Sequence, residues 1–244
     1  MQRLDVELTE RKLAKSRSQA QELIAHGHIN INGQRAKKAS LKVKDSDVLE
    51  VLEKPKYVSR AGLKLEAALD HFNIDVTGLE VLDAGASTGG FTDVLLQRNA
   101  RKIWAIDVGH KQLDSTLRKH PQVIVREGFN IRDLTLENLD GTVDMVVGDL
   151  SFISLTLVLQ PLAEVTKEQG NIVLLIKPQF EVGKENLART GVVTSEKLRK
   201  DAVAKVMTAA AKLGLEERGL MKSPLQGGHG NIEYIAFFQK KHLN

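Results

Sequence analysis

The sequence predicts an α/β chain: a Rossmann-like, doubly wound sheet of seven strands, preceded by a small α+β domain. Three observations predict it. From residue 79 onward, short apolar strands alternate with helical periodicity, the signature of a parallel sheet. Residues 81–91, Val-Leu-Asp-Ala-Gly-Ala-Ser-Thr-Gly-Gly-Phe, read as a strand, a glycine turn and a helix start. Charge is uneven: residues 1–60 carry 13 Lys and Arg against 8 Asp and Glu, net +5, and residues 61–244 carry 22 against 23, net −1. That asymmetry points to an N-terminal segment that touches a polyanion.

Residues 1–53 form the small domain. Leu4, Val6 and Leu8 precede a helical stretch at 10–15. A second helix covers 16–26, with Leu13, Ala20, Leu23 and Ile24 spaced for one buried face and Gly27 as its stop. Residues 28–33 alternate like a strand and run into an Asn32-Gly33 hairpin turn, and 47–51 closes the domain as a strand. A linker, 54–58, contains Pro55 and favours an extended join. The second domain, 59–244, opens with a helix over 60–72 capped by Ser59, with Ala61, Leu65, Ala68 and Leu69 inward. Strands follow at 79–83, 102–107, 122–126, 143–149 and 170–177, with helices at 89–99, 110–119, 155–167 and 195–213. Two last strands, near 215–222 and 231–239, lack a long helix between them and pair as an antiparallel hairpin.

The glycine turn limits the ligand. Its spacing is Gly-x-x-x-Gly-Gly, and Asp83 stands two residues before Gly85. A pyrophosphate is repelled there and an ammonium is attracted. S-adenosylmethionine has an amino-acid ammonium and no phosphate. A second strand ends at Asp107, 22 residues after Gly85, where a carboxylate accepts both ribose hydroxyls. The cofactor set is therefore Asp83, Gly85, Ser87, Gly89, Gly90, Phe91, Asp107, Asn130 and Asp149. Asn130 either reads the adenine edge or serves a structural turn.

Cysteine is absent, which fits a cytoplasmic protein and excludes thiolate metal sites and cysteine-dependent methyl transfer to a pyrimidine. Apolar runs are too short for a membrane span, no signal peptide is visible at the start, and no metal site is expected. Lys177 ends a fully apolar strand, where burial demands an anionic partner. Asp149, at the end of the neighbouring strand, is that partner, in either a catalytic or a structural ion pair.

Arg3-Leu4-Asp5, Leu13-Ala14-x-Ser16-Arg17-x-x-Ala20, Leu23-Ile24-x-x-Gly27, Ile31-Asn32-Gly33, Lys38 and Asp47 together resemble the alpha-L RNA-binding fold of ribosomal small-subunit protein four. The resemblance implies an RNA-facing side with Arg11, Lys12, Lys15, Ser16 and Arg17, to which Arg3, Lys37 and Lys38 are added. The glycine-containing loop 183–193 adds Lys184 and Arg189, either closing over RNA or simply exposed. The sheet with its final hairpin looks like the seven-stranded S-adenosylmethionine-dependent methyltransferase class. Ser59-Arg60-Ala61-Gly62-Leu63-Lys64, Gly148-Asp149-Leu150-Ser151-Phe152-Ile153-Ser154, Ile176-Lys177-Pro178-Gln179-Phe180-Glu181 and Gly230-Asn231-Ile232-Glu233-Tyr234 resemble the hemolysin A/TlyA family, whose catalytic domain is similar to the FtsJ ribose methyltransferases. That resemblance covers the chain and implies a Lys64, Asp149, Lys177, Glu233 tetrad, S-adenosylmethionine as cofactor, and a cytidine 2′-hydroxyl in ribosomal RNA or a ribosomal subunit as acceptor. Three rival readings are a base methyltransferase, an RNA-binding protein with an inactive methyltransferase fold, and a membrane-lytic hemolysin. The first lacks its Asn/Asp-Pro-Pro-aromatic motif, since Asp149-Leu150-Ser151-Phe152 stands in that place.

Overall fold

A computed structural model describes residues 1–14, 16–25, 27–52 and 56–242. The chain divides into two compact units, Met1–Lys56 and Tyr57–Asn244.

The first unit contains β1 (Gln2–Arg3), α1 (Leu4–Glu10), α2 (Arg17–Ala25), β2 (Ile29–Ile31), β3 (Gln34–Arg35), β4 (Lys42–Val43) and β5 (Leu49–Val51). Strand β2 pairs antiparallel with β3 and β5, and β1 with β4. The first helix corrects the sequence reading: Leu4 and Leu8 lie inside it, not ahead of it. One turn apart, they share the buried face that packs on Ala20, Ile24, Ile29 and Val43. The helix ends at Glu10, where the expected helical stretch begins, and Lys12 is in the left-handed region. The last strand starts at Leu49 because the Asp47 side chain is occupied in a turn, accepting from Lys44 N at 2.8 Å and Asn32 Nδ2 at 3.0 Å. Asn32 and Gly33 both have positive φ, as a two-residue primed hairpin turn requires.

The second unit contains α3 (Ala61–His71), β6 (Glu80–Ala84), α4 (Gly90–Gln97), β7 (Lys102–Asp107), α5 (Ser115–Arg118), β8 (Val123–Glu127), β9 (Val143–Gly148), α6 (Leu159–Val165), β10 (Thr166–Ile176), α7 (Glu196–Lys212), β11 (Leu215–Lys222) and β12 (Tyr234–Lys240). Among the described residues seven strands form one sheet in the order β11-β12-β10-β9-β6-β7-β8. Strands β6 to β10 are parallel; β12 runs antiparallel between β10 and β11. Each face of the sheet carries a buried apolar cluster, one around Leu82, Trp104 and Val146 and the other around Val81, Ile103 and Met145. The strand order reverses between β6 and β9, so a ligand crevice is expected beyond their C-terminal ends.

Three elements depart from the sequence reading. The expected helix at 110–119 shrinks to α5, because Glu127 takes the backbone N–H groups of Lys111, Gln112 and Leu113 into a turn. The expected helix at 155–167 is a tight turn at Leu155–Leu157 followed by α6, and the chain is already strand at Thr166. Ser59 does not cap α3, whose N-cap is Arg60 with no side-chain bond; the Ser59 hydroxyl lies against Gly90.

Candidate active site

A cleft of about 480 Å³ opens at the switch point, lined by Gly85, Ser87, Asp107, Asn130 and Asp149 and by apolar groups that include Phe129 and Ile153. A second cavity of about 140 Å³ shares Gly85, Ser87, Asp149 and Ser151 with it, and adds Gly90, Phe91 and Lys177. The donor set suits a cationic nucleoside: two carboxylates, apolar walls for a base, and a glycine turn. Gly85 has φ +82°, and a Cβ there would come within 3.2 Å of the Asp149 carbonyl oxygen. Asp107 holds the turn as well as facing the cleft, since its carboxylate accepts from Ser87 N at 2.8 Å and Gly109 N at 2.7 Å. Asn130 lines the cleft and also caps the tight turn that follows it, accepting from Arg132 N at 3.1 Å.

Two expected contacts are placed elsewhere. Asp83 is fully buried beneath the turn and accepts from Thr92 Oγ1 of α4 at 2.6 Å, so its carboxylate does not face the cleft. Its other oxygen has no hydrogen-bond partner among the described residues. Burial pushes this carboxyl up to about 7, against the Thr92 bond and helped by the charges of Asp149 and Asp107. Gly89, at φ +98°, packs away from the cleft: a Cβ there would sit 2.3 Å from the Leu117 side chain.

The four tetrad candidates meet. Lys64 comes from α3, Asp149 follows β9, Lys177 follows β10 and Glu233 directly precedes β12. Because β12 is antiparallel, its N-terminal end lies at the C-terminal end of β10, where Ile176 pairs with Tyr234. Lys64 Nζ donates to Glu233 Oε2 at 2.7 Å and lies 3.8 Å from Asp149 Oδ2. Lys177 Nζ is 2.5 Å from Asp149 Oδ1. Two lysines and two carboxylates thus form one nearly buried network. Gln179 Nε2 donates to the remaining Glu233 oxygen at 3.0 Å.

The FtsJ-like methyltransferase family matches residues 57–240 of the chain. The chain belongs to this family. The S4 domain family matches residues 2–49. The chain is 47% identical to the 16S/23S rRNA (cytidine-2′-O)-methyltransferase TlyA of Mycobacterium tuberculosis, over 97% of this chain and 89% of the relative. A solved structure from Streptococcus thermophilus is 40% identical, with TM-score 0.77, covering 98% of this chain and 88% of that one. A structure described as an S-adenosylmethionine-dependent methyltransferase from Mesorhizobium loti, 11% identical, shares the fold with TM-score 0.53, over 71% of this chain and 96% of that one.

In the S4 unit, the expected RNA-facing residues separate into two groups. Arg11 is consumed internally: it bonds Glu7 at 2.7 Å and the backbone oxygens of Asp47, Lys44 and Asp45 at 2.7, 3.1 and 3.1 Å. That corrects its reading as an RNA contact. Arg3 and Arg17 both hold the buried Asp5, and Ser16 bonds Gln19 N at the start of α2. Lys12, Lys37 and Lys38 are exposed, as are Lys184 and Arg189 of the FtsJ-like unit. Lys15 lies outside the described residues.

Three residues of the FtsJ-like site escape the sequence reading. Ser151 Oγ accepts from Lys177 Nζ at 2.7 Å. Glu181, buried, accepts from Ser154 Oγ at 2.5 Å and Leu155 N at 2.7 Å. Thr92 holds Asp83. All three stand within or next to the motifs quoted above, and their partners come from other elements of the fold. Among the described residues, no helix is long and apolar enough to cross a membrane, and no group of His, Asp and Glu is placed to hold a metal ion.

Proposed function

We propose that this protein methylates a ribose 2′-hydroxyl of ribosomal RNA, at a cytidine, with S-adenosylmethionine as methyl donor. The observation that carries the reading is the Lys64, Asp149, Lys177, Glu233 network at the edge of an acidic, apolar-walled cleft. The 47% identical TlyA relative, by its name an rRNA cytidine-2′-O-methyltransferase, supports the substrate class. Residues 1–53 are taken as the RNA-binding domain, joined through 54–58 to the catalytic domain 59–244, in a protein that works on ribosomes in the cytoplasm.

When bound, the cofactor supplies an electrophilic methyl group on a sulfonium. Asp107 receives its ribose hydroxyls, and the Gly85 turn receives its amino-acid part, with Asp83 supporting that turn from below. Lys177 takes the proton of the acceptor hydroxyl, a poor nucleophile at neutral pH. Asp149 orients Lys177, while Lys64 and Glu233 place the acceptor ribose in line with the donor. Lys12, Lys37, Lys38, Lys184 and Arg189 neutralise phosphates and give binding a steep salt dependence.

The test is transfer from labelled S-adenosylmethionine to separately purified ribosomal subunits, followed by mapping of the modified nucleotide. A ribose-methylated cytidine is expected. Cofactor binding without transfer to either subunit would defeat the substrate assignment, and no cofactor binding would favour an RNA-binding protein with an inactive fold. Liposome leakage by the purified protein alone would favour the lytic reading.

A further inference from the structure

Lys177, acting as base, must lose the proton it takes. Among the described residues its Nζ has two close polar neighbours, Asp149 Oδ1 at 2.5 Å and Ser151 Oγ at 2.7 Å. Asp149 is a poor exit. Its carboxylate lies between two lysines, and protonating it would remove the anion that both need. Ser151 differs in two ways. It is exposed, and it lines both the large cleft and the smaller cavity that contains Lys177. A hydroxyl can also accept one hydrogen bond and donate another at the same time.

We propose that Ser151 is a proton relay serving Lys177: its hydroxyl accepts the proton from Lys177 and hands its own to water. The inference rests on the ribose-methylation reading. As the O2′–C bond forms and the bond between methyl and sulfur breaks, the O2′–H bond breaks. The proton goes to the lone pair of Lys177 Nζ, so the sulfonium charge is replaced by an ammonium charge. The ammonium then gives a proton to Ser151 Oγ while the Ser151 O–H proton leaves to water. Both side chains return to their starting state, and one proton is released per methyl transferred.

The structure holds Ser151 at this distance from both ends of its loop. Asp149 N donates to Ala84 O at 3.2 Å on one side. On the other, Glu181 accepts from Ser154 Oγ at 2.5 Å and Leu155 N at 2.7 Å, with Lys205 Nζ 3.6 Å from the same carboxylate. Glu181 belongs to the turn that directly follows Lys177, so this clamp ties the loop of the relay to the loop of the base.

The experiment compares wild type, Ser151→Ala and Ser151→Thr on ribosomal RNA. Steady-state turnover rates are measured across pH at low and high imidazole, and cofactor and RNA dissociation constants are measured separately. Ser151→Ala is expected to slow transfer by about tenfold or more, with both dissociation constants unchanged. Imidazole should restore part of the rate, and Ser151→Thr, which keeps the hydroxyl, should restore most of it. Ser151→Ala at the wild-type rate under every condition would overturn the relay and leave the methylation reading intact. A slow Ser151→Ala that neither imidazole nor Ser151→Thr improves would reduce Ser151 to a loop-shaping role. A wild type inert toward RNA, or a fully active Lys177→Ala, would overturn the methylation reading itself and the relay with it.

Discussion

Asp5 in the S4 unit and Asp149 in the FtsJ-like unit are both carboxylates held by two basic side chains, and they differ in what is left over. Asp5 is fully buried and receives Arg3 through two bonds of 2.9 and 3.0 Å, Arg17 at 2.8 Å and Gln21 at 2.7 Å. Its acceptor sites are filled from within the fold. Asp149 faces the cleft, and its partner Lys177 meets it and Ser151. Lys177 also lines the smaller cavity, where an acceptor oxygen can reach its Nζ. A saturated network beside packed helices sets stability. One open to a cavity sets chemistry.

The comparison breaks first if the two networks answer alike to truncation. Lys177→Ala is expected to lower methyl transfer by about 10²–10⁴-fold, with cofactor affinity and melting temperature near wild type. An equally large loss of melting temperature would put Lys177 in the structural class.

Asp5→Ala should do the reverse. Loss of a buried acceptor with several donors costs about 2–3 kcal/mol in the S4 unit, at the low end of buried pairs because both arginines are partly exposed and screened. Urea unfolding followed by a probe in residues 1–52 measures it, and an unchanged midpoint would contradict the structural assignment. The Asp5 carboxyl is held well below its ordinary value, first by Arg3. Its contribution is therefore present above the unfolded value of about 3.8 and is lost as pH falls toward the folded value.

Two carboxyls of the FtsJ-like unit sharpen the contrast through pH, with opposite signs. Glu127, bonded to Arg118 and three backbone N–H groups, is lowered from 4.5 to about 2. Its contribution is full above about 4.5 and disappears between that pH and about 2, so Glu127→Gln should flatten the acid limb of the melting profile. Asp83 is raised from 3.8 to about 7, chiefly by burial. The folded state holds a proton that the unfolded chain has lost, so this group's cost grows from about pH 4 and is complete above about 7. Asp83→Asn should stabilise the ligand-free protein at pH 8, by about 1–2 kcal/mol, and give no gain at pH 4. A gain equal at both pH values would refute the burial account.

The smallest effect separates the arginines from the lysines of the S4 unit. Lys37→Ala and Lys38→Ala should each reduce the salt slope of RNA binding by about one without moving the melting temperature. Arg11→Ala should lower the melting temperature, because its four internal bonds are lost. An Arg11 variant that changed the salt slope alone would return it to the RNA-facing side.

Much of the catalytic unit is legible in the amino-acid sequence. A lysine ending an apolar strand demands an anion, and Asp149 is the carboxylate at the end of the neighbouring strand. Asp107 and Gly85 follow from strand-end spacing. Lys64 and Glu233 stand 169 residues apart; the antiparallel last strand points Glu233 to the same region, but only a family resemblance singles the pair out, because no local pattern couples residues so far along the chain. The first helix is misread because Leu4, Val6 and Leu8 also alternate as a strand does, and only packing on Ala20 and Ile24 selects the period of four. Arg11 looks basic and free because its acceptors are mostly backbone oxygens of residues 44–47, which a sequence does not display.

By itself the sequence determined the alternation of strand and helix, the glycine turn, the acids at strand ends and the basic N-terminal quarter. Each depends on residue type and short spacing, which chain geometry converts directly into local structure. Only the tertiary structure decided which charges are spent and which are available. It buried Asp83 under its own turn, closed the Asp5 network, and set Ser151 beside Lys177 by anchoring its loop to Glu181. Burial and long-range hydrogen bonding depend on what the rest of the chain brings to a residue, and that is settled when the sheet assembles.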